Sequence, residues 1–396
     1  MRLTTAGLPL HFDTAIVGKV ATTAVPSIDR SDRIFVGSLD DRSIRDWTGF
    51  RAIITPSRAQ DHSALFSALA LPVAHSVRDI DHLRDDDIVV LQPQTGFVRT
   101  LYRPDSVHNN LFMTERCNSN CLMCSQPPKD KDDTEQFTEI NLELVRLMPS
   151  TVTYLGITGG EPTLLRHRLF RILRALREKL PDTDVHMLTN GRLFAWPAFT
   201  RDFVEANHPR LVLGIPLYSD SSTAHDHVVQ ARHAFDQTVM GLHQLARHNV
   251  LVEIRVVLHR LTIPRLAHLA EYVYRNFPFV IHVALMGLEP TGYTPRNKEQ
   301  LWIDPVDYQD QLEAAVEILA TRGMNVSIYN TQLCLLRPSL WKFARKSISD
   351  WKNVYLPECQ ECNALEQCGG LFQSAQKMHS THIRAFRHHN QSVSSV

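Results

Sequence analysis

The chain has 396 residues, 43% of them hydrophobic, with 42 basic and 42 acidic side chains and a formal charge of zero. That length allows a large core and two or three domains, and the balanced charge gives no electrostatic case for nucleic acid or an anionic membrane as partner. No apolar run approaches a membrane span, and the opening Met1-Arg2-Leu3-Thr4-Thr5-Ala6-Gly7-Leu8-Pro9-Leu10 lacks the apolar core of a signal peptide, so a cytoplasmic location is expected.

Residues 1–105 carry no motif. Short apolar runs such as Ile34-Phe35-Val36, Ala52-Ile53-Ile54 and Ile88-Val89-Val90-Leu91 sit between polar turns. The last of these pairs by pattern with Gly96–Tyr102 as a hairpin across Gln92-Pro93-Gln94-Thr95. This stretch reads as a small β-rich accessory domain, which would either present a partner peptide to an active site or brace the rest of the chain.

From about 106 the pattern changes to strand and helix in alternation. Asn110–Thr114 is a short apolar strand that delivers the loop Cys117-Asn118-Ser119-Asn120-Cys121-Leu122-Met123-Cys124. Cysteines at this C-x3-C-x2-C spacing would give a cubane iron–sulfur cluster three thiolates and leave one iron open to a ligand. Two other readings exist. The same positions fall on one face of a helix as core cysteines, although Asn-Ser-Asn makes a poor helix interior. They would also serve zinc with a borrowed fourth ligand, although structural zinc prefers paired knuckles.

After a polar connection at 129–135, Thr138 is placed to cap a helix running to Met148. The strand at 151–157 then leads into Thr158-Gly159-Gly160-Glu161-Pro162-Thr163. The cysteine loop and this Gly-Gly-Glu-Pro turn, in this order and separation, resemble the radical S-adenosylmethionine (SAM) superfamily. The resemblance implies that the open iron of a [4Fe–4S] cluster on Cys117, Cys121 and Cys124 chelates the amino and carboxylate groups of SAM. It assigns Gly159, Gly160, Glu161 and Pro162 to the bound amino group. The chemistry agrees, since glycine lets backbone approach a ligand closely and a carboxylate strengthens a hydrogen bond to an ammonium.

A helix follows from about Leu165 to Leu180, stopped by Pro181, and then strand Asp184–Leu188 ending at Thr189-Asn190-Gly191. The order continues with a helix at 198–206, strand Arg210–Tyr218, a helix near 227–247, strand Val250–Leu258, a helix from Pro264 and strand Phe279–Leu285. Near-continuous apolar strands separated by helices argue a parallel sheet covered by helices. The fold class is α/β, and six units match the partial (β/α)6 TIM-like barrel that the resemblance implies, spanning 106–290. In such barrels the chemistry gathers at the carboxyl ends of the strands. Asn190, Ser219 and Arg255 lie near such ends and are candidates to bond the ribose or carboxylate of SAM. The plainer alternative leaves Asn190 holding a turn with Gly191 and Arg255 pointing outward. Met123 stands where the family carries an aromatic on the adenine, a contact that its polarizable sulfur can make.

Residues 291–385 form a Cys-rich extension with a helix at 305–322, a strand at 325–329, Cys334, and Cys359, Cys362 and Cys368 at C-x2-C-x5-C spacing. It resembles the SPASM and shorter twitch extensions of peptide maturases. Its four cysteines suffice for one auxiliary [4Fe–4S] cluster, and a zinc knot on the same four is the competing reading. Seven cysteines, an odd number, argue against a pure disulfide framework. The 20 histidines are scattered, and none is assigned to catalysis. Residues 386–396 read as a flexible tail.

Taken whole, the chain resembles the His-Xaa-Ser system radical SAM maturases of the C-type. The resemblance implies an enzyme of oxidoreductase-type chemistry that cleaves SAM reductively to a 5′-deoxyadenosyl radical and modifies a ribosomally made peptide or small protein. Its implied partners are that peptide, an electron donor such as flavodoxin or ferredoxin, and a second radical SAM maturase. A radical SAM enzyme acting on a small molecule, in cofactor or modified-base synthesis, is the alternative within enzymes. A non-catalytic iron–sulfur partner of another maturase is the alternative outside them, and an intact Gly-Gly-Glu-Pro argues against it.

Overall fold

The computed structural model describes residues 3–23, 25–39, 47–58, 71–346 and 353–387. The tail expected at 386–396 therefore lies, from 388 onward, outside the described residues. Two sheets organise the molecule.

The first sheet is built from β1 (Thr4–Ala6), β2 (Leu8–Leu10), β3 (Ile16–Ala21), β4 (Arg33–Val36), β5 (Ala52–Ile54), β6 (Val73–His75), β7 (Ile88–Leu91) and β8 (Phe97–Tyr102). Its order is β1-β8-β7-β3-β4-β5-β6-β2, so the two outermost strands are consecutive in sequence and separated only by Gly7. One bent segment thus closes the sheet, pairing with β8 on one side and β6 on the other. The bend needs glycine: a Cβ on Gly7 would stand 2.5 Å from the His75 carbonyl oxygen. The hairpin expected at 88–102 forms antiparallel. In β7 the alternation of side chains serves two cores. Val89 and Leu91 pack with Val20, Ile34 and Val98 inside the closed sheet, while Ile88 and Val90 join the core of the second sheet.

The second sheet is entirely parallel, in the order β15-β14-β13-β12-β11-β10-β9. Its strands are β9 (Asn109–Phe112), β10 (Tyr154–Thr158), β11 (Asp184–Leu188), β12 (Leu211–Pro216), β13 (Leu251–Leu258), β14 (His282–Gly287) and β15 (Val326–Tyr329). The covering helices are α1 (Thr134–Leu147), α2 (His167–Lys179), α3 (Pro197–Ala206), α4 (Ser222–Val229), α5 (Ala234–Arg247), α6 (Leu266–Asn276), the short α7 (Lys298–Leu301) and α8 (Gln309–Thr321). The sequence logic is plain in β13, where Val252, Ile254, Val256 and Leu258 are buried against helices and the alternate Glu253 and Arg255 point to the lumen side. The sheet is an open partial barrel with strand ends aligned on one side.

Three boundaries differ from the sequence reading. The strand at 326–329 pairs parallel with β14, so a seventh strand from the extension continues the six-stranded sheet. The helix near 227–247 is two helices, because Gln230 (φ 52°) and His233 (φ 58°) adopt left-handed backbone between α4 and α5. The helix expected from Thr138 starts at Thr134, and Thr138 lies buried within it, its hydroxyl donating to the Thr134 carbonyl at 2.6 Å. Among the described residues no helix is long and apolar enough to cross a membrane.

Candidate active site

The cysteine loop follows β9 and the Gly-Gly-Glu turn follows β10, and these two strands are hydrogen-bonded neighbours. The turn is stitched to the base of the loop, with Gly160 N donating to the Thr114 carbonyl at 2.7 Å and Glu161 N to the Arg116 carbonyl at 2.8 Å. Both glycines are required by this approach. Gly159 has φ +140°, and a Cβ there would sit 2.7 Å from the Thr114 carbonyl oxygen, while one on Gly160 would overlap the Arg116 carbonyl. Other elements grip the rest of the loop. Asn120 N and Leu122 N donate to the Val229 and Val228 carbonyls at 3.0 Å each, Asn297 Nδ2 donates to the Leu122 carbonyl at 2.7 Å, and Tyr293 N to the Cys124 carbonyl at 2.9 Å.

Cys117, Cys121 and Cys124 line one cavity of about 340 Å³ at the carboxyl ends of the strands, together with Met123, Gly159, Gly160, Glu161, Asn190 and Arg255. Burial pushes the Cys117 and Cys121 thiols up to about 12, and Cys124 upward as well. Metal ligation needs thiolates, so loading this site releases protons. The donor set fits an iron–sulfur cluster: three sulfurs on a backbone-held loop, with polar groups beside a cavity rather than a fourth sulfur. Among the described residues no three His, Cys, Asp or Glu side chains converge on a single metal ion.

Glu161 is 1% exposed and points into this junction. Its Oε1 accepts from Thr163 N at 3.0 Å and from the Thr163 and Thr189 hydroxyls at 2.6 Å each, and its Oε2 accepts from Asn190 N at 2.6 Å. Burial raises its pKa against those bonds. A carboxylate offers about four acceptor positions, so three donors on Oε1 leave room for a further donor on Oε2. Asn190 is committed to the loop, donating from Nδ2 to Asn118 Oδ1 at 2.5 Å. Arg255 lines the cavity with its guanidinium held by Glu253 at 2.6 Å and by the Met286 sulfur at 3.0 Å. Met123 is buried and packs with Tyr218, Val228 and Val229. Pro162 starts a buried 3-10 turn. Ser219 is buried away from the cavity lining, its hydroxyl accepting from Ser221 N at 3.1 Å.

Several lining or supporting residues went unread in the sequence. Tyr218 lies two residues past the end of the fourth barrel strand and is buried in the cavity wall, which raises its phenol pKa. Arg192 donates to the Asn118 carbonyl and to the Ser119 hydroxyl of the cysteine loop. Below the cavity, Glu253 accepts from His282 Nδ1 at 2.7 Å and lies 3.7 Å from His186, while His282 Nε2 meets the Ser327 hydroxyl at 3.0 Å. Burial works to raise the Glu253 pKa. The His282 hydrogen bond and the Arg255 and His186 charges outweigh it and hold the carboxyl at about 2. The only sequence signal for these groups was their place on inward-facing strand positions.

In the extension, Cys334, Cys359, Cys362 and Cys368 line one small cavity of about 20 Å³ together with Leu333, Leu365, Leu371 and Phe386. Tyr355 donates its hydroxyl to the Cys368 carbonyl at 2.8 Å, and Phe386 N approaches the Cys362 sulfur at 3.4 Å. The four sulfurs are brought together from segments 25 or more residues apart and from within the 359–368 turn.

Residues 111–273 match the Radical SAM superfamily model. That part of the chain, which holds the cysteine loop and the Gly-Gly-Glu turn, is similar to the radical SAM superfamily, and the similarity implies a [4Fe–4S] cluster and SAM. Among curated relatives, GTP 3′,8-cyclase of Campylobacter jejuni (strain RM1221) is 32% identical over 109 residues, 26% of this chain and 33% of that protein. GTP 3′,8-cyclase of Sulfurovum sp. (strain NBC37-1) is 27% identical over 150 residues, 37% of this chain and 44% of that protein. The chain thus spans between a third and a half of the length of these relatives. Among solved structures, Streptococcus suis SuiB bound to precursor peptide SuiA gives a TM-score of 0.45 at 15% identity, covering 56% of this chain and 48% of that one. A radical SAM methyltransferase from Sphaerobacter thermophilus gives 0.44 at 16% identity, covering 69% and 81%.

Proposed function

We propose that this chain is a radical SAM enzyme that cleaves SAM reductively to a 5′-deoxyadenosyl radical and modifies a ribosomally made peptide or small protein, as in His-Xaa-Ser system maturation. The observation that carries the first half is the convergence of Cys117, Cys121, Cys124, Gly159, Gly160 and Glu161 on one cavity. A bound [4Fe–4S] cluster would supply the electron and an open iron. The chain's own residues do the rest. The cysteine sulfurs hold the cluster at the rim, and the Gly159–Glu161 turn and Glu161 Oε2 receive the amino group of SAM. Met123 and Tyr218 provide the apolar wall on which its adenine would rest, and Arg255 and Asn190 supply polar groups on the far side.

Cys334, Cys359, Cys362 and Cys368 would hold an auxiliary [4Fe–4S] cluster. Four thiolates saturate it, which suits electron transfer from substrate better than substrate binding. Zinc on the same four is the competing occupant, and more than about four irons per chain distinguishes them. Flavodoxin or ferredoxin would be the electron donor, and the cytoplasm the compartment. The closed β-rich region at 3–105 would serve the peptide or brace the barrel.

Similarity to GTP 3′,8-cyclases favours a second reading, in which the substrate is a small molecule. Reconstituted protein with SAM and a low-potential reductant should form 5′-deoxyadenosine, and Cys121→Ala should form none. Retained formation in that variant would remove the catalytic reading. Mass shifts in small proteins encoded beside this chain would select the peptide reading, and 5′-deoxyadenosine formation stimulated only by a nucleotide would select the other.

A further inference from the structure

We propose that Arg192 is a positioning residue of the cysteine loop: it pins the loop between Cys117 and Cys121 to the barrel and places a permanent positive charge beside them. It thereby sets how firmly the loop holds its cluster and at what potential that cluster takes an electron. The proposal rests on the cluster reading above and adds to it a residue outside the cysteine and Gly-Gly-Glu motifs.

The geometry is specific. Gly191, at φ +77°, turns the chain out of the third barrel strand, and Arg192 opens the short 3-10 turn that follows. Its Nη1 donates to the Asn118 carbonyl and, at 3.1 Å, to the Ser119 hydroxyl, while its Nε donates to Gln237 Oε1 on α5 at 2.7 Å. The planar fork therefore bridges two elements, the cysteine loop and a barrel helix. Asn190, two residues earlier, grips the Asn118 side chain at 2.5 Å, so one short segment after β11 holds Asn118 by both backbone and side chain. Thr238 fixes that segment in turn, donating to the Asn190 carbonyl at 3.0 Å.

The charges around it are accounted for. Arg116, at the base of the loop, faces Asp132 at 3.6 Å, and Arg255 is paired with Glu253 across the cavity. Glu161 and Asp226 are the anions that face Arg192, along with Cys117 and Cys121. Glu161 takes its hydrogen bonds from Thr163, Thr189 and Asn190 rather than from Arg192, and Asp226 from the amides of His233 and Phe235. Among the described residues, Arg192 is thus the cation bonded to the loop between its first two cysteines. Each electron added to a cluster makes it more negative, so a fixed cation nearby favours the reduced form, and hydrogen bonds and net charge are the levers that set such potentials. Lysine would keep the charge and lose the fork.

The test uses full-length reconstituted protein as wild type, Arg192→Gln, Arg192→Lys and Gln237→Leu, with Cys121→Ala marking which signal belongs to this loop. Midpoint potentials are read by electron paramagnetic resonance in a redox titration, and retention by the rate of iron loss to a chelator. Arg192→Gln should lower the reduced-to-oxidised ratio at a fixed potential about tenfold, ~59 mV for one electron. Arg192→Lys should keep that ratio near the wild-type value and lose iron faster. Gln237→Leu, which frees Nε while leaving the charge, should lose iron faster and move the midpoint less than Arg192→Gln. If Arg192→Gln takes up no cluster while its apo form melts like wild type, the pinning role is supported, and Gln237→Leu then decides between pinning and passive packing. Wild-type midpoint and wild-type iron retention in Arg192→Gln would overturn the proposal, as would wild-type retention in Gln237→Leu when Arg192→Gln holds no cluster. A wild-type protein that gains no signal absent from Cys121→Ala would instead defeat the cluster reading.

Discussion

The two sets of cysteines in this chain are built on opposite plans. Cys117, Cys121 and Cys124 open onto a cavity of about 340 Å³ that also carries a buried carboxylate, an arginine and an asparagine. Cys334, Cys359, Cys362 and Cys368 surround a cavity of about 20 Å³ walled by leucines and Phe386. The first set is one short loop held by hydrogen bonds from β10, α4, the turn after β11 and the segment after β14. The second gathers the 359–368 turn and the distant Cys334, which follows β15 in the chain. A site whose metal must accept a ligand needs space and fixed polar groups beside the sulfurs. A site whose metal is saturated needs only sulfur and an apolar wall. On the proposed reading, the difference would separate a place for chemistry from a place for an electron.

The sharpest way to break that comparison is to remove one sulfur from each set. Cys121→Ala should end 5′-deoxyadenosine formation while leaving the metal of the extension in place. Cys362→Ala should lower metal content yet leave SAM binding and 5′-deoxyadenosine formation measurable, with modified substrate lost. Metal analysis and product chromatography on the same two samples check both. Equal loss of 5′-deoxyadenosine in the two variants would mean that the extension is part of the first site.

Next in size is a backbone effect. Gly160→Ala adds a single methyl where the Arg116 carbonyl already sits, so the Glu161 N to Arg116 bond cannot survive unchanged. We expect a loss of about 3 kcal/mol in unfolding free energy, with SAM affinity falling alongside, because the clash separates the turn from the loop. Ala at Gly323, where nothing lies within 4 Å but φ is +76°, should cost about 1 kcal/mol from backbone strain alone. Denaturant titration of both variants separates crowding from strain.

Much of this architecture could be read before any coordinates. The near-continuous apolar run at 250–258 and the glycines of 159–160 declare a barrel strand and a close backbone approach, because each is a local demand on local residues. The cysteine loop is equally local. What stayed hidden is non-local or lacks a marker. The four-residue β15 joins the sheet only through pairing with β14, so its sequence reads as an isolated strand of the extension. The break between α4 and α5 falls on Gln230 and His233, with no glycine or proline to announce it. Closure of the first sheet depends on Thr4–Leu10 bridging strands whose paired residues lie between Leu10↔Val73 and Thr4↔Arg99 in sequence separation, far beyond any local signal. Arg192, Glu253 and His282 were invisible because a polar residue in an apolar strand or turn carries meaning only once the lumen is known.

The last of the expected effects concerns acid. The barrel beside the first cysteine set holds buried titratable groups. Burial holds His186 and His225 down to about 4 and His259 down to about 3, while Glu253 is held at about 2. In the unfolded chain histidine protonates near 6.5 and glutamate near 4.3. For the histidines the folded form refuses a proton that the unfolded form accepts, so stability falls as pH drops from about 6.5 toward 4. Glu253 adds its own stability above about 4.3, which is lost as pH falls further toward about 2. At the alkaline end both cysteine sets act alike: burial raises Cys117, Cys121, Cys334 and Cys359, so the metal-free protein gives up stability as pH rises past the ordinary thiol range. The melting temperature of the metal-free protein should therefore fall between pH 7 and pH 4, and His259→Gln should flatten that slope. An unchanged slope in that variant would show that His259 does not carry the acid response and that His186 and His225 must.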